Sequence, residues 1–131
     1  MTASITPTCF TYTHHENGIH EFEFTESSRK ALDEWYAYIE DFYQGKTEEK
    51  TVRVLVVQRS GQQPLSYAYK RAMELNRRYP DRPQLRYAFL NDSSGIMQLL
   101  SVFISMLRSR DPARYYSISR RDEAIAWLLS E

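Results

Sequence analysis

A short apolar run constrains this chain more than any other feature. It extends from Thr51 to Gly61, reads TVRVLVVQRSG, and its β-branched side chains follow one another almost without interruption. The run is too short to cross a membrane. A strand that is apolar on both sides must be covered on both faces, which usually happens in the middle of a sheet flanked by helices. We therefore expect TVRVLVV to form the central strand of such a sheet.

The chain before this run has the pattern of a hairpin followed by a helix. Two alternating strands, Cys9 to His14 and Ile19 to Phe24, flank the pair Asn17-Gly18. This pair favours a type I′ turn because both residues tolerate positive φ. In the second strand the phenylalanines should face inward and the glutamates should face water. A helix with one apolar stripe follows a serine cap, at Ser27 or Ser28, and ends near Gly45.

Helical and strand patterns alternate after the central run. The predicted elements are a helix from Pro64 to Tyr79, a strand from Leu85 to Leu90, a helix from Ile96 to about Arg108, a strand from Ala113 to Ile118, and a helix from Glu123 to Leu129. Ser119 to Asp122 resembles a capping box for the last helix. The order β-β-α-β-α-β-α-β-α predicts one α/β domain over residues 1–131, with a mixed sheet flanked by helices. Residues 1–7 are expected to be a frayed lead-in.

Composition narrows the function classes. The 17 basic side chains balance the 17 acidic ones, so the chain lacks the positive charge that marks a nucleic-acid partner. A single cysteine, Cys9, cannot form a disulfide within the chain, which favours a reducing cytoplasm. Met1 to Pro7 lacks the pattern of a signal peptide, and no apolar run reaches the length of a membrane span. We expect a cytoplasmic protein with no membrane span and no nucleic-acid partner.

Catalytic motifs are missing from the sequence. There is no nucleophile elbow, no Walker loop and no dinucleotide fingerprint, and 4 glycines do not make a glycine-rich phosphate cradle. We therefore predict no catalytic residue, no cofactor and no enzyme activity.

The three histidines lie across the predicted hairpin. His14 and His20 could face each other on adjacent strands, and Glu16 or Glu21 could add an oxygen ligand. Neighbouring strand residues rarely suffice for a tight metal site, however. A solvated hairpin tip is the preferred interpretation of these residues, including His15, and no metal is predicted.

The predicted third helix is apolar around much of its circumference. Met97, Val102 and Ile104 extend the apolar surface beyond its core stripe, and such a helix needs a second burial surface. A neighbouring helix of the same domain, a second copy of the chain, or an apolar ligand would each provide one. We expect a homodimer, with these three side chains as interface candidates, because two-fold pairing is the commonest way to cover one apolar patch.

The order of elements and two short strings resemble a known family. Asp92-Ser93-Ser94-Gly95 follows a strand and opens a helix, and the chain closes with a strand followed by DEAIAWLL. Together they resemble a STAS domain of the SpoIIAA-like type, the fold of the anti-sigma-factor antagonists. The resemblance implies a signalling module of bacterial type whose partner is a kinase-like anti-sigma factor. In that family the first serine of the string is phosphorylated by the partner.

The position of the string leaves more than one serine as a candidate. The family carries its motif after the third strand, whereas Ser93 follows the fourth. The corresponding turn here runs from Ser60 to Ser66, with Leu65 where an aspartate is expected. Ser93, Ser66 and Ser60 are therefore the phosphorylation candidates, and ordinary helix capping is the alternative role for such residues.

The resemblance implies a function without catalysis. We expect a regulatory protein-interaction module, switched by serine phosphorylation. The alternative is a small apolar-ligand or lipid-binding domain of SpoIIAA-like type, and an enzyme is the third possibility. Perturbed acidic or histidine groups converging in one deep pocket would indicate the enzyme.

Overall fold

A five-stranded mixed sheet forms the centre of the computed structural model, which describes residues 9–45, 49–59, 63–91 and 112–130. The strands are β1 (Phe10–His14), β2 (His20–Phe24), β3 (Thr51–Gln58), β4 (Gln84–Asn91) and β5 (Ala113–Tyr116). The helices are α1 (Arg29–Tyr43), α2 (Leu65–Arg78) and α3 (Arg121–Leu129), with a 3-10 turn at Ile118–Arg120. The strands lie in the order β1-β2-β3-β4-β5; β1 is antiparallel to β2, and the others are parallel. The predicted α/β class and mixed sheet are confirmed.

Strand β3 lies in the middle of the sheet, as its apolar run predicts. Val54 and Leu55 point to opposite faces, and both side chains are 0% exposed. Val54 belongs to the cluster under α1 and α2, whereas Leu55 belongs to the cluster under α3. Hydrogen bonds to β2 on one side and β4 on the other occupy both edges of the strand. The central strand is therefore buried in every direction.

The two faces of the sheet are covered by different helices. On one face the inward side of β2 packs against α1, where the Phe22 and Trp35 rings meet edge to face at 6.2 Å. Phe42 and Tyr43 are both buried at the end of that helix. On the other face α3 places Ala124 and Leu128 against the sheet. Among the described residues, no helix combines the length and the apolar character needed to cross a bilayer.

The hairpin turn differs from the predicted type. The amide of Gly18 donates to the His15 carbonyl at 2.9 Å, so Glu16 and Asn17 occupy the two corner positions. Gly18 follows at φ 92°, and the Asn17 side chain accepts a hydrogen bond from the Ile19 amide at 3.0 Å. A turn followed by a left-handed glycine is typical of a longer hairpin loop. The predicted Asn-Gly corner is therefore displaced by one residue.

Helix ends agree with the prediction for α1 but not for α3. The Ser28 hydroxyl accepts a hydrogen bond from the Ala31 amide at 3.0 Å, and Gly45 at φ 74° follows the helix end. The capping box predicted before α3 is wrong. Ser119 lies inside the 3-10 turn, where its hydroxyl is 3.0 Å from that of Ser117. The helix begins at Arg121 without a side-chain cap.

Candidate functional site

The carboxyl ends of the parallel strands carry a connected set of polar side chains, here called the carboxyl-edge network. Its members are Glu26, Ser27, Ser28, Gln58, Gln63 and Asn91, and Ser27 joins it by accepting a hydrogen bond from the Gln58 side chain at 3.2 Å. Gln63 donates to the Glu26 carbonyl at 2.9 Å and to the Gln58 side chain at 2.8 Å. The side-chain oxygen of Gln63 accepts a hydrogen bond from the backbone amide of Ser28 at 3.1 Å. One glutamine therefore joins the start of α1, the end of β3 and the approach to α2.

The adjoining strand is tied into the same network. Asn91 ends β4 opposite Gln58 in the register. The side-chain amide of Asn91 donates to the backbone carbonyl of Gln58 at 3.0 Å. Asn91 is only 4% exposed, so this bond offsets part of the cost of burying the amide. Ligands of open α/β sheets bind beyond the carboxyl ends of the strands. The carboxyl-edge network thus marks the edge of the sheet where recognition is usual for this class.

Of the three phosphorylation candidates, only Ser66 belongs to the part of the chain that the structure describes. Ser66 is exposed in the first turn of α2, which follows Gln63 of the carboxyl-edge network along the chain. Ser60 and Ser93 each follow the last residue of a strand by two positions, and both lie outside the described residues.

Several other predictions also lie outside the described residues. They are the frayed lead-in, the predicted third helix, and the interface candidates Met97, Val102 and Ile104.

A second cluster of polar groups lies at the opposite edge of the sheet, where β2 begins. His14 and His20 are paired in the hairpin register, and their rings stack at 4.0 Å with planes 11° apart. The predicted facing of the two histidines is confirmed. Their acidic neighbour is Glu49 rather than Glu16 or Glu21, and Glu49 comes just before β3. We call these three residues the His–Glu cluster.

His20 is the buried centre of the His–Glu cluster, with 2% of its surface exposed. Its Nε2 atom lies 2.8 Å from the Glu49 carboxylate, and its Nδ1 atom lies 2.7 Å from the Tyr12 hydroxyl. An ionised carboxylate only accepts hydrogen bonds, so a neutral His20 carries its proton on Nε2 and accepts a hydrogen bond from the Tyr12 hydroxyl at Nδ1. The prediction of a solvated hairpin tip is therefore wrong for His20, because the residue belongs to the inward face of β2.

Burial shifts the pKa of His20 and of its hydrogen-bond partner Tyr12. Desolvation lowers the pKa of His20, although the hydrogen bond from its ring to Glu49 opposes the shift. Burial also raises the pKa of Tyr12 to about 12, and the nearby Tyr38 and Glu49 contribute to that rise. At neutral pH the His20 imidazole is thus neutral and the adjacent Tyr12 phenol is protonated. A neutral imidazole has a nitrogen that is able to bind a metal ion.

His15 and Glu21 belong to a different group on the other side of the hairpin. The His15 ring lies 2.7 Å from the Glu21 carboxylate, which also accepts two hydrogen bonds from Arg121 at 2.5 and 3.0 Å. Burial alone would raise the pKa of Glu21, but the bonds from Arg121 and His15 outweigh it and hold that pKa below its usual value. The expected solvated glutamate face is wrong here, since the start of α3 covers Glu21.

Comparison with known proteins leaves the function to be argued from these two sites. No family model, no curated protein and no solved structure matches the chain. The His–Glu cluster includes Glu49, which sequence reasoning missed because it is 29 positions from His20 and lies in a charged connection.

Proposed function

We propose that this chain is a non-catalytic regulatory module that binds another protein and is switched at the carboxyl edge of its sheet. The carboxyl-edge network is the observation that carries the proposal. It joins the ends of β3 and β4 to the starts of two helices through side-chain amides. The proposal extends the resemblance to STAS domains of the SpoIIAA-like type, for which a kinase-like anti-sigma factor is the expected partner.

The exposed start of α2 is suited to a charge switch. A phosphoryl group adds up to about two negative charges, and a helix N-terminus stabilises negative charge through its free N–H groups. Ser66 lies in this first turn, and Lys70 follows one turn later on the same side of the helix. Gln63 holds the approach to the helix against Glu26, so the added charge would alter the surface rather than unfold the helix start.

The first experiment identifies the partner. The tagged protein is used to capture partners from the cells that produce it, and the captured proteins are identified by mass spectrometry. Recovery of a kinase-like anti-sigma factor supports the proposal. Reproducible turnover of a metabolite by the pure protein contradicts it. A co-purified apolar ligand, detected by native mass spectrometry, would favour the ligand-binding alternative.

The second experiment tests the switch with paired substitutions. Aspartate and alanine variants are made at Ser66, Ser93 and Ser60, and their affinities for the captured partner are compared. At the switching serine the two variants should differ by more than the roughly 1 kcal/mol that loss of a cap costs. Ser130→Asp is the matched control, because Ser130 follows α3 and contacts Arg86 far from the carboxyl ends. Equal affinities for each Asp and Ala pair would contradict the switch.

A further inference from the structure

We propose that His14, His20 and Glu49 form a binding site for a divalent metal ion, with Zn²⁺ as the best match. One ring nitrogen of each histidine and one carboxylate oxygen of Glu49 all lie within 4.8 Å of one another. Two imidazoles and one carboxylate are a recognised Zn²⁺ ligand set, which leaves a fourth position for water or an external ligand. The site lies at the opposite edge of the sheet from the carboxyl-edge network and does not depend on the proposed function.

The distances in the cluster require only a local adjustment. Tetrahedral Zn²⁺ with bonds of about 2.0–2.2 Å brings neighbouring ligand atoms to roughly 3.3 Å of each other. The two histidine rings are stacked nearly parallel, so one ring must turn for a nitrogen of each to point at the same ion. His14 is exposed and is the ring that would turn, whereas His20 is held by the core. Glu49 lies at the cluster's partly exposed side and can follow the ion.

Tyr12 supplies the outer partner that metal-binding histidines usually have. Its hydroxyl oxygen lies 2.7 Å from Nδ1 of His20, while Nε2 faces Glu49. A metal at Nε2 requires the His20 proton to move to Nδ1, from which it is donated to the Tyr12 oxygen. The Tyr12 hydroxyl then turns from donor to acceptor, and the total number of protons is unchanged. Such a partner fixes the orientation and the tautomer of the ligand.

The surroundings of the cluster also favour a bound ion over a plain hydrogen bond. The Phe42 ring lies 4.7 Å from the His20 ring and closes the inner side, which strengthens the attraction between an ion and Glu49. A histidine–glutamate hydrogen bond needs only His20 and Glu49. His14 adds a third metal ligand at the solvent side, where an ion would enter.

The test measures metal binding directly on the tag-free full chain. The protein is stripped with EDTA and titrated near neutral pH with Zn²⁺ by calorimetry and with Co²⁺ by absorption. We expect saturation at one ion per chain and the visible bands of four-coordinate Co²⁺. His14→Ala and Glu49→Gln should each weaken binding by about tenfold or more, and Tyr12→Phe by about 10–100-fold. These variants leave the buried His20 in place, and circular dichroism checks that they fold.

His15→Ala is the matched control. It removes the neighbouring histidine, whose ring contacts Glu21 on the other side of the hairpin, so Zn²⁺ affinity should equal that of the wild type. Zn²⁺ should also raise the melting temperature of wild type and of His15→Ala, and should raise that of His14→Ala less. The proposal is overturned if wild type shows no saturable binding. It is also overturned if folded His14→Ala and Glu49→Gln bind as wild type does, since the ion would then be held elsewhere.

Discussion

Tyr36 joins α1 to α2 through one buried hydrogen bond. Its hydroxyl donates to the Ala68 carbonyl at 2.9 Å, and burial raises the pKa of the phenol, so the donor stays protonated. Tyr36→Phe removes the donor but keeps the ring in the core. The Ala68 carbonyl retains its place in the helical hydrogen-bond ladder. We expect a loss of about 1 kcal/mol in the free energy of unfolding, measured by urea denaturation.

Tyr67→Phe is the control for this change. The Tyr67 hydroxyl also donates between the same two helices, to Asp33 at 2.5 Å, but it does so at the surface. Water replaces a lost surface bond, so no measurable change in unfolding free energy is expected. Equal losses in the two variants would contradict the argument that burial gives the Tyr36 bond its value.

Arg121 and Glu21 provide a residue-scale test of pH dependence. The two hydrogen bonds from Arg121 reach the Glu21 carboxylate, whose side chain is 12% exposed. Arg121→Met should therefore lower the free energy of unfolding by about 1–2 kcal/mol at neutral pH. The pKa of Glu21 is lower in the folded state than in the unfolded one. Its contribution to stability is therefore complete above the usual glutamate pKa of about 4.3 and is lost as pH falls through the folded value.

The stability difference between wild type and Arg121→Met should consequently shrink in acid. Urea denaturation between neutral pH and about pH 3, in the presence of EDTA, measures this difference. Asp122→Asn is a suitable control because Asp122 is an exposed acidic neighbour in the same helix turn. A difference that stays constant as pH falls would show that Arg121 acts through packing and not through the Glu21 charge.

At the scale of elements, α3 is held at its C-terminus by arginines from the sheet. Arg53 on β3 donates to the Leu128 carbonyl at 2.7 Å, and Arg86 on β4 donates to the Ser130 carbonyl. The guanidinium groups of Arg86 and Arg114 also lie 4.5 and 5.0 Å from the Trp127 ring centre. The last carbonyls of a helix carry partial negative charge, so cations placed there stabilise it.

We expect Arg53→Met to lower the free energy of unfolding by about 1–2 kcal/mol, because it removes a charged donor and keeps the aliphatic stem. Thermal and urea unfolding monitored by tryptophan fluorescence would measure the loss. Arg120→Met is the control, since Arg120 pairs with the exposed Glu123 in the same turn and its substitution should show no measurable effect. An Arg53→Met variant with the same free energy of unfolding as the wild type would contradict the role assigned to this arginine.

At the scale of the whole molecule, the open prediction is assembly. The sequence between β4 and β5 is apolar enough to predict a homodimer that buries Met97, Val102 or Ile104. Ile104→Glu should convert that dimer to a folded monomer, as measured by light scattering at several concentrations. Ala126→Glu places the same charge on the exposed side of α3 and should leave the dimer intact. A wild type that is monomeric at every concentration would contradict the prediction.

The candidate sites show how far the sequence can be taken. The facing of His14 and His20 follows from a hairpin, whose register depends on a turn of a few residues. Glu49 was not predictable, because its contact with His20 depends on where β3 lies beside β2. The same limit applies to the carboxyl-edge network, in which Gln63 bonds to Glu26 across 37 positions. No local pattern indicates which distant side chain a glutamine or glutamate will meet.

The sequence by itself determined most of the helices and strands that the structure describes, and the central place of β3. Alternation, helical spacing and the Ser28 cap depend on neighbours along the chain, and a strand that is apolar on both sides can be buried only inside a sheet. The tertiary structure alone decided that α3 covers the face opposite α1 and α2, and that arginines of the sheet meet its last carbonyls. Those contacts depend on packing between segments far apart in sequence. Many pairings of such segments have similar local free energies, and only the complete core selects one of them.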